Sequence, residues 1–322
     1  MRAGGTEVVA VSAEAGGRVT AVVPTVGASP HVERCLEALR SEGIATVVVH
    51  QGDREPPEAA SRLAGRIVRL PLNLGFAAAT NVGIAAAAAE FVATVNDDAI
   101  VEPGWAAALV AALDADPAAA SAQGSNLQLA DPARLDGRGL AWNRWWQAVQ
   151  VGYGEPAPDG SEAIEEVFGV SATAALYRRS ALDAVALAPG EVFDLRLGAY
   201  YEDVDLACRL RRAGRSALWV PAARALHAGS VTGDRRRRWR LTRLYGNRWA
   251  VAARCLGRGF PAAVPRMAAR DLADLARAVG RADLAAVTGI LTGWRRALAL
   301  LPRALHRDAP CVGSSPGEVV RT

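Results

Sequence analysis

Four short apolar runs, separated by three stretches of helical spacing, occupy the first third of this 322-residue chain and restrict it to one architecture. Val19-Thr20-Ala21-Val22-Val23-Pro24 reads as a buried strand. Residues 30–42 have helical spacing, with Val32, Leu36 and Leu39 on one face. A second strand, rich in β-branched residues, is expected at 44–49, a short helix at 55–64 and a third strand at 67–70. A helix of small residues follows at 75–89, then a fourth strand at 91–95. This alternation predicts a mainly parallel central sheet flanked by helices. Such sheets bind ligands beyond the carboxyl ends of their strands. Thr25, His50 and Asp97-Asp98 all follow strand ends, so they are expected to line one crevice.

Beyond Asp116-Pro117 the pattern loosens. Residues 118–129 suggest one more strand, and 131–160 read as loop-rich, with Trp142, Trp145 and Trp146 close together. A helix is expected at 202–212 and a strand at 216–220, closed by Pro221. From 235 to 305 the chain reads as helical, broken by Pro261, Pro265 and Pro302. The division that follows is a flexible tail at 1–17, a catalytic domain at 18–232, a C-terminal helical extension at 233–308 and a flexible tail at 309–322.

The chain has no lysine, and its net charge of +4 is too mild to imply nucleic acid. The basic run Arg235-Arg236-Arg237-Arg238, followed by Trp239 and Arg240, reads either as a solvated helix face or as a contact for anionic lipid headgroups. Cys35, Cys208, Cys255 and Cys311 are far apart in sequence, which suggests neither a zinc site nor a redox pair and fits a reducing cytoplasm. The first 17 residues lack the apolar core of a signal peptide, and no charge-free apolar run reaches 18 residues, so no spanning helix is expected.

Two acidic pairs carry the chemistry. Asn96-Asp97-Asp98 ends an apolar strand, where adjacent carboxylates repel and need solvent or a partner. A magnesium or manganese ion with phosphate oxygens would supply one, although Asp and Asn also suit an ordinary turn. Glu202-Asp203 opens a helix whose apolar face carries Leu206 and Leu210. Asp there is a cap, and the helix dipole also keeps it ionised and able to accept a proton from a hydroxyl. Asp205 is placed to pair with Arg209, four residues on. His227, in an expected loop after the last strand, is free to approach a cation. Asn73-Leu74-Gly75-Phe76, with Asn81 beyond, turns into a helix whose free N–H groups could hold donor phosphates.

In order and spacing these pieces resemble the family 2 glycosyltransferases, in particular the bacterial rhamnosyltransferase-like branch. The matching residues are Val22-Val23-Pro24-Thr25, Asn73-Leu74-Gly75-Phe76 with Asn81, and Asn96-Asp97-Asp98-Ala99. Further on come Phe168-Gly169-Val170-Ser171, Ala175-Leu176-Tyr177-Arg178-Arg179, Phe193-Asp194, Tyr201-Glu202-Asp203-Val204-Asp205-Leu206 with Arg209 and Gly214, and His227. The resemblance covers roughly residues 18 to 232 and implies a GT-A nucleotide-sugar-binding fold and inverting transfer of a sugar, with rhamnose a candidate. It implies Asp98 and His227 at a divalent cation (Mg2+ or Mn2+), Asp97 against the donor, Asp203 as base and Glu202 beside it. Pro24 and Thr25 would meet the nucleoside. The family usually shows Asp-Asn after the second strand; here stand His50-Gln51-Gly52-Asp53, so base reading falls to His50, Gln51 or Asp53 without a clear choice. The implied partners are a nucleotide-diphosphate-sugar, a glycan or polyprenyl-linked acceptor in cell-envelope polysaccharide synthesis, and an anionic membrane surface at the inner face of the cell membrane. A sugar nucleotidyltransferase and a non-catalytic nucleotide-sugar-binding scaffold are the alternatives; the absence of lysine disfavours the first, and retention of both acidic pairs the second.

Overall fold

The computed structural model describes residues 7–10, 17–229 and 237–306. Strands β1 (Glu7–Ala10), β2 (Val19–Thr25), β3 (Ala45–Gln51), β4 (Arg66–Leu70) and β5 (Phe91–Val95) lie side by side, with helices α1 (Val32–Ser41), α2 (Glu58–Leu63) and α3 (Phe76–Ala86) between them in sequence. β4, β3, β2 and β5 run parallel, in register Val22↔Val47 and Val22↔Thr94 about the central strand. Every residue of β2 is buried because helices cover both faces. Leu36 and Leu39 of α1 pack with Val23 and Val48 on one side. Ala77, Ala79 and Ile84 of α3 pack with Val22 and Val49 on the other. A Cβ on Gly83 would sit 2.2 Å from Val22 Cγ1, so α3 rests on the sheet at backbone distance. β1 pairs antiparallel with β4, which puts a strand at the outer edge where the sequence suggests a loose tail.

The second half adds β6 (Ala99–Val101), α4 (Trp105–Ala115), β7 (Ala119–Gln128), β8 (Asp131–Gly137), β9 (Leu140–Trp142), β10 (Ala148–Gln150), β11 (Glu165–Val167), β12 (Ala174–Arg178), α5 (Arg179–Ala184), α6 (Glu202–Arg212) and β13 (Ser216–His227). β12 inserts antiparallel between β5 and β7, and β13 runs parallel to β7. The mixed sheet has eleven strands, in order β1-β4-β3-β2-β5-β12-β7-β13-β11, with β6 on β13 and β8 on β7. One expectation is refined and one corrected here. Residues 131–160 are loop-rich as read, but they also form β8 and the β9–β10 pair. The last strand does not stop at Pro221 but continues to His227, because the ladder to β7 shifts register between Trp219 and Arg224 and the proline falls in the gap.

Three helices follow, α7 (Arg237–Leu256), α8 (Phe260–Gly280) and α9 (Leu284–His306). Pro261 starts α8, a position whose N–H has no helical partner anyway. Pro265 and Pro302 lie inside α8 and α9 without ending them, since packing against neighbours outweighs one lost hydrogen bond in a long helix. α9 lies along α7 through small residues; a Cβ on Gly293 would meet Tyr245 Cβ at 2.7 Å. Of the basic run, Arg235 and Arg236 fall outside the described residues, and Arg237 is held by Asp283 at 2.6 Å.

The cysteine expectation is also corrected. Cys208 of α6 and Cys255 of α7 form a disulfide, 47 residues apart in sequence but with Cα atoms 5.4 Å apart. Sequence spacing could not bring them together; the packing of α7 on α6 does. The inference of a reducing compartment from unpaired thiols loses that support. Cys35 is a free thiol in the core, and Cys311 lies outside the described residues. Beside the disulfide, Arg254 of α7 bonds both Asp205 of α6 and Asp194, and Asp205 also takes the expected bond from Arg209 at 2.9 Å.

Candidate active site

The ends of the parallel strands converge as the topology requires. Thr25 sits opposite His50 in the β2–β3 ladder, and its hydroxyl donates to Asp97 Oδ2 at 2.5 Å. Ser29 Oγ donates to the Asp97 carbonyl at 3.0 Å, which fixes the turn after β5. Burial first, and the adjacent Asp98 charge next, raise the Asp97 carboxyl to about 6, while the Thr25 hydroxyl partly offsets them. The β13–β6 pairing His227↔Ala99 brings His227 beside Asp98, with Nε2 3.3 Å from Asp98 Oδ1. Its Nδ1 lies 2.9 Å from Asp136 Oδ2 on β8. Burial disfavours the imidazolium, but hydrogen bonds to Asp136 and Asp98 outweigh it and lift His227 to about 9.

Asp98 and His227 fit one pair of ligands to a divalent cation. Two neighbouring donors around an ion at about 2.1 Å stand about 3 Å apart, close to the spacing seen. Among the described residues no group of three His, Cys, Asp or Glu is disposed around a single point.

The second acidic pair opens α6. Tyr200 and Tyr201, just before it, hold φ of 67° and 72°, a left-handed backbone that costs tyrosine on the order of 1 kcal/mol or more each. Two supports hold them there. Tyr201 packs in an aromatic cluster with Trp142, and its hydroxyl accepts the Ala148 N–H at 3.2 Å. From α7, the Asn247 amide nitrogen donates to the carbonyls of Leu197, Ala199 and Tyr200 at 3.1, 3.0 and 2.7 Å. Asp203 accepts its neighbour Val204 N–H at 2.8 Å and lies 3.5 Å from Ala172 N. Glu202 is 8% exposed, and its Oε2 has no hydrogen-bond partner among the described residues. Burial raises both carboxyls, and the Asp203 charge raises Glu202 further, well above the usual range. Donors reach Asp203, while among the described residues none reaches Glu202 Oε2, which favours the charge on Asp203 and the proton on Glu202.

One loop joins the two ends. Thr173 accepts the Asn96 N–H at 2.8 Å, and the preceding residue, Ala172, is the one whose N–H faces Asp203. The turn after β4 closes the same region: Ala77 N–H donates to the Gly198 carbonyl at 2.9 Å, and Gln51 Oε1 accepts the Leu74 N–H at 3.0 Å. Gly75 has φ 93°, and a Cβ there would lie 3.2 Å from the Gly198 carbonyl oxygen.

The model of glycosyl transferase family 2 matches residues 20–185, more than half of the chain. The chain belongs to glycosyl transferase family 2. Among solved structures, the mannosyltransferase PcManGT from Pyrobaculum calidifontis, in complex with GDP-Man and Mn2+, is similar with TM-score 0.54 and 19% identity over 87% of each chain. S. aureus TarS 1-349 gives 0.50 and 16%, covering 89% of this chain and 81% of that one. GalNAc-T7 with UDP, GalNAc and Mn2+ gives 0.52 and 13% over 65% of this chain, which spans only 43% of that one. At these identities the likeness concerns the fold, which is the expected GT-A type. No curated protein sequence matches the chain.

In this glycosyltransferase several residues expected at the donor have other occupations. Both polar groups of Asn81 are engaged with residues 192–193: Nδ2 donates to the Phe193 carbonyl at 2.8 Å, and Oδ1 accepts the N–H groups of Val192 and Phe193. Phe76 packs edge-on against Phe193. Asn73 Oδ1 accepts the Gly75 N–H at 3.0 Å and so shapes the turn. His50 is fully buried, with Nε2 2.8 Å from the Arg54 carbonyl and Nδ1 without a partner among the described residues, while Asp53 is exposed. Pro24 stands beyond the last β2–β5 pair, so its missing N–H breaks no ladder on that side. His227 ends a strand and does not sit in a loop. Sequence reading misses Asp136, in a stretch read as loop-rich, and Asn247, in the C-terminal helical extension; neither lies in a motif.

Proposed function

We propose that the enzyme moves a sugar from a nucleotide-diphosphate-sugar to a hydroxyl acceptor by direct displacement with inversion. The observation that carries this reading is the 171–173 loop, which hydrogen-bonds the backbone beside Asp97-Asp98 at one residue and faces Asp203 at the next. Asp203 accepts the acceptor's proton as its oxygen attacks the anomeric carbon. Glu202, protonated, is disposed to donate a hydrogen bond to a substrate hydroxyl. Asp98 and His227 would hold Mg2+ or Mn2+, which offsets the charge growing on the departing diphosphate. Thr25 would lie against the nucleoside, and Asp97 beside the cation against the donor. Manganese with GDP-Man or UDP in the similar structures agrees with this donor class. The donor sugar, possible rhamnose included, is to be read by a thermal-shift screen of UDP-, GDP- and dTDP-sugars with and without Mn2+. Asp203→Asn, folded by circular dichroism, should lose at least a hundredfold in transfer; near-normal turnover removes the base assignment.

We further read the C-terminal helices as the side that meets a lipid-linked, polyprenyl-type acceptor at an anionic membrane surface, the inner face of the cell membrane. Residues 237–306 hold 14 Arg against three Asp and no Glu. Leu284, Leu291 and Leu298 are exposed on α9 at seven-residue spacing, which is one face. Leu272 and Val279 of α8 are also exposed. By length and composition α9 could cross a bilayer from Leu284 to Pro302, but Arg295 and Arg296 fall within that stretch and its other face packs on α7, which favours lying on a surface. Co-sedimentation with phosphatidylglycerol vesicles, compared with Leu291→Glu/Leu298→Glu, tests it; equal binding refutes it.

A further inference from the structure

Asp136 lies outside every motif, yet the strand that carries it is built around it. In the β7–β8 ladder Asn126 faces Gly137 and the next residue, Leu127, faces Leu135, so Asp136 is the extra residue of a β-bulge. Both flanking carbonyls are held by glutamines of β7: Gln128 Nε2 donates to the Leu135 carbonyl at 3.1 Å and Gln123 Nε2 to that of Gly137 at 3.2 Å. A bulge re-aims a side chain that regular pairing would point elsewhere. Here the Asp136 carboxylate reaches His227 Nδ1 at 2.9 Å, while the opposite ring nitrogen stands 3.3 Å from Asp98. The imidazole is 14% exposed and each carboxylate 19%, so the contact is shielded.

We infer that Asp136 is a positioning residue, which fixes the tautomer and orientation of the His227 ring so that Nε2 is presented to the cation beside Asp98. A carboxylate only accepts hydrogen bonds, so Asp136 keeps a proton on Nδ1; a cation beside Asp98 would take the place of the other proton, the one on Nε2, and would meet the lone pair there. Carboxylates behind ligating histidines act in this way, and their loss costs about 10–100-fold in metal affinity. The inference rests on the proposed cation site, but not on the identity of the base, the sugar or the acceptor.

The test is Mn2+ binding by the full chain with UDP or GDP present, read from the free-Mn2+ electron paramagnetic resonance signal, with nucleotide affinity measured separately without metal. For Asp136→Ala we expect about 10–100-fold weaker Mn2+ binding, unchanged metal-free nucleotide affinity, and partial recovery in Asp136→Asn, whose amide oxygen can still accept from Nδ1. Asp136→Asn also serves if the alanine variant does not fold. Equal Mn2+ affinity in wild type and both variants overturns the positioning role and leaves the cation site standing. Complete loss, as expected for Asp98→Ala, makes Asp136 a ligand and overturns it too. Absence of Mn2+ binding by the wild type with either nucleotide removes the cation site and this inference together.

Discussion

Asp194→Asn should remove a pH-dependent part of the clasp between the C-terminal helices and the catalytic half. Asp194 is 1% exposed and bonds both Arg196 and Arg254. Burial pushes its carboxyl up, but the two guanidinium groups outweigh burial and hold it at about 2. Against about 3.9 in an unfolded chain, that shift is worth roughly 2–3 kcal/mol at neutral pH. The folded value is depressed, so this stability is present above the unfolded pKa and lost as pH falls through the folded one. About half of it is gone by pH 3. The substitution should therefore cost at least roughly 2 kcal/mol at pH 7, more if Arg254 is left short of a partner. The gap between wild type and variant should narrow steadily from pH 5 to pH 3. Urea unfolding followed by tryptophan fluorescence at stepped pH measures it. A gap that stays constant from pH 7 to pH 3, or none at pH 7, would refute the argument.

Three further outcomes follow from the geometry. The acid limb of kcat/KM should lie above the ordinary carboxylate range, because burial raises Asp203 and protonation disables the base; a limb near pH 4, where exposed carboxylates titrate, contradicts it. Reduction should lower the melting temperature by several degrees, since a crosslink spanning 47 residues is worth roughly 3–4 kcal/mol; Cys208→Ser should melt like the reduced protein and ignore reductant, and a reductant effect in that variant would refute the pairing. Thr25→Val strips Asp97 of its 2.5 Å donor and should raise the Asp97 pKa and the donor KM with a smaller effect on kcat; an unchanged KM would separate that hydrogen bond from donor binding.

Much of this was readable in the chain. The β2–β5 half-sheet follows from apolar runs too short for helices, alternating with one-faced helices such as Val32, Leu36 and Leu39. Thr25 and Asp97 meet because parallel strands put their carboxyl ends on one edge. What escaped reading depends on contacts between distant segments. The Asp136 bulge exists only against Gln123 and Gln128, and the Cys208–Cys255 link only because α7 folds back on α6. Pro221 misleads because a proline reads as a strand end unless a register shift across the ladder absorbs it. Asn81 looks like a donor contact in sequence, but its amide is committed to residues 111 and 112 positions away.

The single amide of Asn247 makes the part of the chain outside the family match a structural parent of the base. Its nitrogen gathers three carbonyls of the segment entering α6, while its oxygen accepts from Arg296 of α9 at 2.7 Å. A shortened version ending before α7 would take the Asn247 amide from all three carbonyls, leaving Leu197 only its bond from the Ala199 N–H, and would let Tyr200 and Tyr201 relax to right-handed backbone, which would turn the start of α6. Grafting this catalytic head onto another tail therefore means grafting Asn247 and its arginine with it.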